Sequence, residues 1–100
     1  MQLLTKEILK RLPPLGLNEN TPLEEMMAQV KFFTPDSGWT WYAVEFDGED
    51  IFWGWVQGIE EEFGTFSLSE LQSVRGKLGL PVERDKFFEP TPLKELMKKE

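Results

Sequence analysis

The chain of 100 residues has 40% apolar and 29% charged side chains, the balance of a soluble globular protein forming one domain (1–100) with a modest core. Cysteine and histidine are absent, which excludes disulfides, thiolate nucleophiles, zinc sites of the Cys/His type and any histidine relay. The net charge of −7 is concentrated: twelve carboxylates from Glu19 to Glu70 face one base, Lys31, giving −11 over residues 13–74 between two positive flanks, a middle that repels phosphate and suits basic protein surfaces.

Thr5 is placed to cap a helix running to about Leu12, with Leu4, Ile8, Leu9 and Leu12 on one face, and Pro13-Pro14 stops it. Leu15 to Asn20 reads as a loop. Thr21-Pro22-Leu23-Glu24 sets cap, proline and glutamate in capping-box order for a short helical turn. Val30-Lys31-Phe32-Phe33 reads as a strand, and Pro35-Asp36-Ser37-Gly38 as a turn.

The stretch Trp39 to Trp55 holds all four tryptophans around an acidic turn and reads as a β-hairpin with two apolar faces. Asp47-Gly48 favours a two-residue type I′ turn pairing Phe46 with Glu49 and Tyr42 with Trp53. One face then carries Tyr42, Val44, Ile51, Trp53 and Trp55 and reads as core. The other carries Trp39, Trp41, Ala43 and Glu45 against Asp50, Phe52, Gly54 and Val56, with Trp41 over Gly54. Terminal helices cover this second face, or it is an exposed binding patch. A four-residue loop would preserve these faces; a three-residue loop would not.

Gly58 to Glu62 forms the next turn and Phe63 to Leu68 a third strand of the meander. Ser67 or Ser69 caps a helix over Glu70 to Arg75, with Gly76 as a left-handed stop, and Val82 to Phe88 adds an edge strand. Thr91-Pro92 opens a C-terminal helix carrying Leu93, Leu96 and Met97. The sum is an α+β protein: an antiparallel meander of about four strands, with short helices at both termini and after the third strand.

Glu45, Asp47, Glu49 and Asp50 surround the first turn, and Glu60, Glu61 and Glu62 occupy the second. A strand separates the two turns by roughly 20 Å, so they share neither a metal nor an acid/base pair. Asp47, Glu49 and Asp50 lack calcium-loop spacing, so no metal or other cofactor is expected. Arg75 and Lys77 sit where a helix C-terminus favours cations. No apolar run approaches a membrane span and no basic-then-apolar start marks a signal peptide, so a cytoplasmic location is expected.

Phe33-Thr34-Pro35-Asp36, Trp39-Thr40-Trp41-Tyr42, Glu45-Phe46-Asp47-Gly48, Phe66-Ser67-Leu68-Ser69-Glu70-Leu71 and Arg75-Gly76-Lys77-Leu78-Gly79-Leu80-Pro81, with the opening LLTKEILKRLPP, resemble the domain of unknown function 2958 family. The resemblance covers nearly the whole chain and implies a setting on plasmids, integrative elements and phages, with no activity or catalytic residue to carry over. The leading expectation is a non-enzymatic interaction protein of a mobile element, binding a host or element-encoded protein with a basic surface. Its binding surface would be Glu45, Asp47, Glu49, Asp50, Glu60, Glu61 and Glu62, with whatever of Trp39, Trp41 and Phe52 stays exposed. A sharper form is a counter-defence inhibitor that mimics DNA charge in a nuclease groove. Two alternatives are a carboxylate enzyme using Asp36, Glu45 or Asp50 beside Arg75, and single-strand binding by exposed tryptophans. Direct nucleic-acid binding is otherwise not expected.

Overall fold

The computed structural model describes residues 2–98. Helix α1 (Lys6–Arg11) starts under Thr5, whose hydroxyl accepts from the Ile8 N–H at 3.2 Å. A 3-10 turn (Leu23–Glu25) leads into β1 (Met27–Ala28) and β2 (Val30–Phe33). The meander follows as β3 (Thr40–Phe46), β4 (Ile51–Gln57) and β5 (Glu61–Ser67), then α2 (Leu68–Ser73). The chain ends with β6 (Glu83–Arg84), β7 (Thr91–Pro92) and α3 (Leu93–Met97). The main sheet is antiparallel in the order β5-β4-β3-β2-β6, and β1 pairs β7 in a separate two-stranded ladder. The fold is α+β, with five strands in the main sheet rather than about four.

The β3–β4 turn departs from the two-residue expectation. The Asp47 N–H donates to the Ile51 carbonyl at 2.9 Å, and Phe46 pairs with Phe52 instead of Glu49. The loop is therefore three residues long, Gly48 to Asp50, with Gly48 at φ +90°. That length turns Phe46 to the Phe52 face, where the two rings stack at 4.4 Å, and turns Glu45 to the Trp53 side. A bulge at Val44 then restores the expected parity, giving Tyr42 opposite Trp55 and Trp41 opposite Val56. Glu45 and Phe46 have thus exchanged the faces that a two-residue turn assigns them. Trp41 does not lie opposite Gly54; Ala43 does.

Both faces of β3 are covered by the protein itself, whereas at β5 the side chains on the Trp53 side, Glu61, Phe63 and Thr65, stay exposed. On one face, Trp41, Ala43, Phe46, Phe52 and Phe66 pack with Phe32 under α1 (Ile8), α2 (Leu71) and Val82. On the other, Tyr42, Val44 and Trp55 pack with Ala28 under α3 (Leu93, Leu96). Burial pushes the Tyr42 phenol pKa up, and the Asp85 charge adds to it. Trp41 is 6% and Phe52 0% exposed, so neither belongs to an external binding patch.

Three further expectations need correction. The edge strand expected over Val82 to Phe88 shrinks to β6, because the Asp85 side chain accepts from the Phe87 N–H at 2.9 Å and turns the chain out of the sheet. Leu9 lies on the exposed side of α1. Gly76 is not left-handed: α2 ends in extended backbone at Val74, and positive φ falls at Gly79 instead. Gly76 is required for space, since a Cβ there would overlap the Asp36 carboxylate.

Candidate interaction site

Trp39 leads into β3 from a loop closed twice by Thr34. Its N–H donates to the Thr34 hydroxyl, and the Thr34 N–H donates to its carbonyl, each at 3.0 Å. The indole stacks on Trp41 at 5.8 Å and lies directly over Gly58, where any Cβ would strike the ring. A tryptophan covering a glycine is thus present, but the pair is Trp39 with Gly58. At 39% exposure Trp39 is the most exposed of the four tryptophans.

Around Trp39 runs a groove of about 640 Å³ bordered by Ile59, Glu70, Val74, Arg75 and Lys77. Its wall is tied down by the turn after β2. Ser37 Oγ accepts from the Lys77 N–H at 3.1 Å, and Asp36 Oδ2 accepts from the Leu78 and Leu80 N–H groups at 2.6 and 3.2 Å. Asp36 Oδ1 is buried without a hydrogen-bond partner among the described residues. Arg75 turns back on α2, donating to the Gln72 and Val74 carbonyls at 3.0 and 2.8 Å. Sequence reasoning missed this clamp; the turn residues Pro35-Asp36-Ser37-Gly38 were its local signal, but their grip on residues 77–80 is a long-range fact.

The first acidic turn is mostly structural. Glu45, 4% exposed, accepts from the Gly16 N–H at 2.9 Å and the Asn18 N–H at 2.8 Å, holding the loop after α1. Asp47 Oδ1 accepts from the Glu49, Asp50 and Ile51 N–H groups at 2.8, 2.8 and 3.0 Å. Those backbone bonds, Asp50's foremost, hold its carboxyl below the ordinary aspartate range. Asp50 accepts from Ser69 N–H and Oγ at 2.8 and 3.1 Å, fastening the turn to the start of α2. Ser67 caps that helix by accepting from the Glu70 N–H at 3.0 Å. Glu49 alone projects freely from this turn.

Asp36, Glu45 and Asp50 therefore serve three different loops. Among the described residues no group of three or more acidic side chains could hold a metal ion. Glu60, Glu61, Glu62 and Glu70 are exposed and their carboxylates enter no hydrogen bond or ion pair among the described residues. Glu62 and Glu70 also border a second hollow of about 320 Å³ that runs from Trp39 along β5 past Gly64 and Phe66.

Fold and site together define a small α+β protein whose sheet is covered on both faces at β3 and whose distinctive surface is an acidic, tryptophan-lined border along β5. A family model described as "Protein of unknown function (DUF2958)" matches residues 3–98, and the chain belongs to that family. No curated protein and no solved structure matches it. Among the described residues no helix is long and apolar enough to cross a membrane.

Proposed function

We propose that the chain is a non-enzymatic interaction protein that binds a partner protein through the border formed by Trp39, Ile59, Glu60, Glu61, Glu62 and Glu70. One observation carries this reading: Glu62 and Glu70, whose carboxylates bond to no other group among the described residues, line the hollow that runs from Trp39 along β5, and Ile59, Glu60 and Glu61 stand exposed just before it in the chain. An exposed aromatic beside a hollow whose charged lining is Glu62 and Glu70 matches a partner that offers lysine or arginine, whose apolar stems lie on the ring while their heads meet the carboxylates. The first turn contributes little beyond Glu49, since Glu45, Asp47 and Asp50 already bind backbone and side-chain donors of their own chain.

A mobile-element product that mimics DNA charge within a nuclease groove is a sharper version. It is supported by the −11 over residues 13–74. The placement of Glu49 and of Glu60 to Glu62 at opposite ends of β4 gives it less support than it gives a single local docking border.

Affinity capture from host lysate tests the reading, with three baits: wild type, Trp39→Ala, and Glu60, Glu61 and Glu62 changed together to Gln. The expected result is a set of basic proteins held by wild type, released by moderate salt and lost from both variants. Identical capture by all three baits, or none by wild type, would contradict it.

A further inference from the structure

The two borders of the main sheet are built differently. On one side β6 offers only the two residues Glu83–Arg84. On the other, β5 runs for seven residues in unbroken register against β4, without a bulge or proline, its charges confined to Glu61 and Glu62 at its start. Natural sheets blunt a long border with such devices or cover it.

The phase of the β4–β5 ladder is set at both ends. The Leu68 N–H donates to the Asp50 carbonyl at 2.7 Å, and the Gly58 N–H to the Glu60 carbonyl at 3.0 Å. In an antiparallel pair the bonded positions alternate, so Glu62, Gly64 and Phe66 face β4 while the N–H and C=O of Glu61, Phe63 and Thr65 point away from the sheet. Glu61, Phe63 and Thr65 are themselves exposed.

Hollows flank this border on both faces. One is the hollow of Trp39, Glu62, Gly64 and Glu70, and the other, about 490 Å³, is lined by Leu15, Glu19, Met26, Trp53 and Thr65. We infer that β5 takes up an extended segment of a partner as a sixth strand, and that this segment carries lysine or arginine at alternate positions. Backbone bonds to Glu61, Phe63 and Thr65 would supply affinity without regard to sequence. Selectivity would come from the flanking hollows, because side chains of an added strand alternate between faces. A cation entering the first hollow meets Glu62 and Glu70 while its stem crosses the Trp39 ring. A second copy fits poorly, since it brings the same Glu60 to Glu62 run and another −7 of net charge. The inference rests on the interaction reading above and adds the partner's conformation.

The probe is a blocked peptide of the length of β5 (7 residues), with lysine at alternate positions and threonine or valine between. It is compared by NMR titration with the same peptide carrying glutamate for lysine. The expected result is shift changes along residues 61–66 and at least about tenfold tighter binding of the lysine peptide. Thr65→Pro removes an outward N–H that the sheet does not use, so it should keep the fold by circular dichroism and melting while abolishing binding. Changing Glu62 and Glu70 together to Lys should invert the preference between the peptides. No binding, equal binding of both peptides, or undiminished binding to folded Thr65→Pro would overturn the inference. Self-association of wild type that Thr65→Pro abolishes would overturn it too, in favour of a second copy. If lysate capture survives Thr65→Pro, the interaction reading stands and strand addition alone falls.

Discussion

Phe52→Ala is expected to destabilise the protein by about 3–5 kcal/mol, the usual cost of emptying a fully buried aromatic site. Phe52 has no exposed surface, and its ring centroid lies 5.6, 4.4 and 5.2 Å from those of Phe32, Phe46 and Phe66. Truncation removes the ring on which three others pack. Domains of this size hold only about 5–15 kcal/mol in total, so the variant should melt far earlier or fail to accumulate. Urea unfolding followed by tryptophan fluorescence gives the number. A loss below about 1 kcal/mol would mean that the Phe52 face is not core, and the covered-sheet description would be wrong. Trp39→Ala should cost clearly less, because its ring is partly exposed and packs on one neighbouring indole.

The second large effect concerns two glycines that face each other across β4 and β5. Gly54 pairs with Gly64, yet their surroundings are opposite. A Cβ at Gly54 would overlap the Tyr42 carbonyl oxygen, a backbone atom next to the bulge that cannot rotate aside. Gly54→Ala is therefore expected to part β3 from β4 at a cost at or above the upper end of about 1–3 kcal/mol. A Cβ at Gly64 meets nothing within 4 Å, so Gly64→Ala should stay within about 0.5 kcal/mol of wild type. Equal melting temperatures for the two variants would refute the assigned register.

The helices at Thr5, Ser67 and Pro92 were legible because caps and prolines act over three or four positions. The hairpin was legible from its aromatic alternation, and most of its faces survived. Its register was not, because a three-residue loop and a bulge each invert parity and their effects cancel beyond Val44. Between them they moved Glu45 from the Phe52 face to the loop amides of Gly16 and Asn18. Coverage of Trp41 was likewise out of reach, since it depends on α1, α2 and Val82 arriving from distant parts of the chain. Of the candidate site, Trp39 and Glu60 to Glu62 were legible from composition. The open border of β5 was not, because strand order within a sheet is a tertiary property.

Both faces of the sheet are internal at β3, while the border of β5 is open. Amide hydrogen exchange in the isolated protein tests it most directly, read residue by residue along Glu61–Ser67. Rapid exchange at Phe63 and Thr65 alongside strong protection at Glu62, Gly64 and Phe66 is the predicted pattern. Protection at Phe63 and Thr65 in the free monomer would contradict it, because those N–H groups would already have partners.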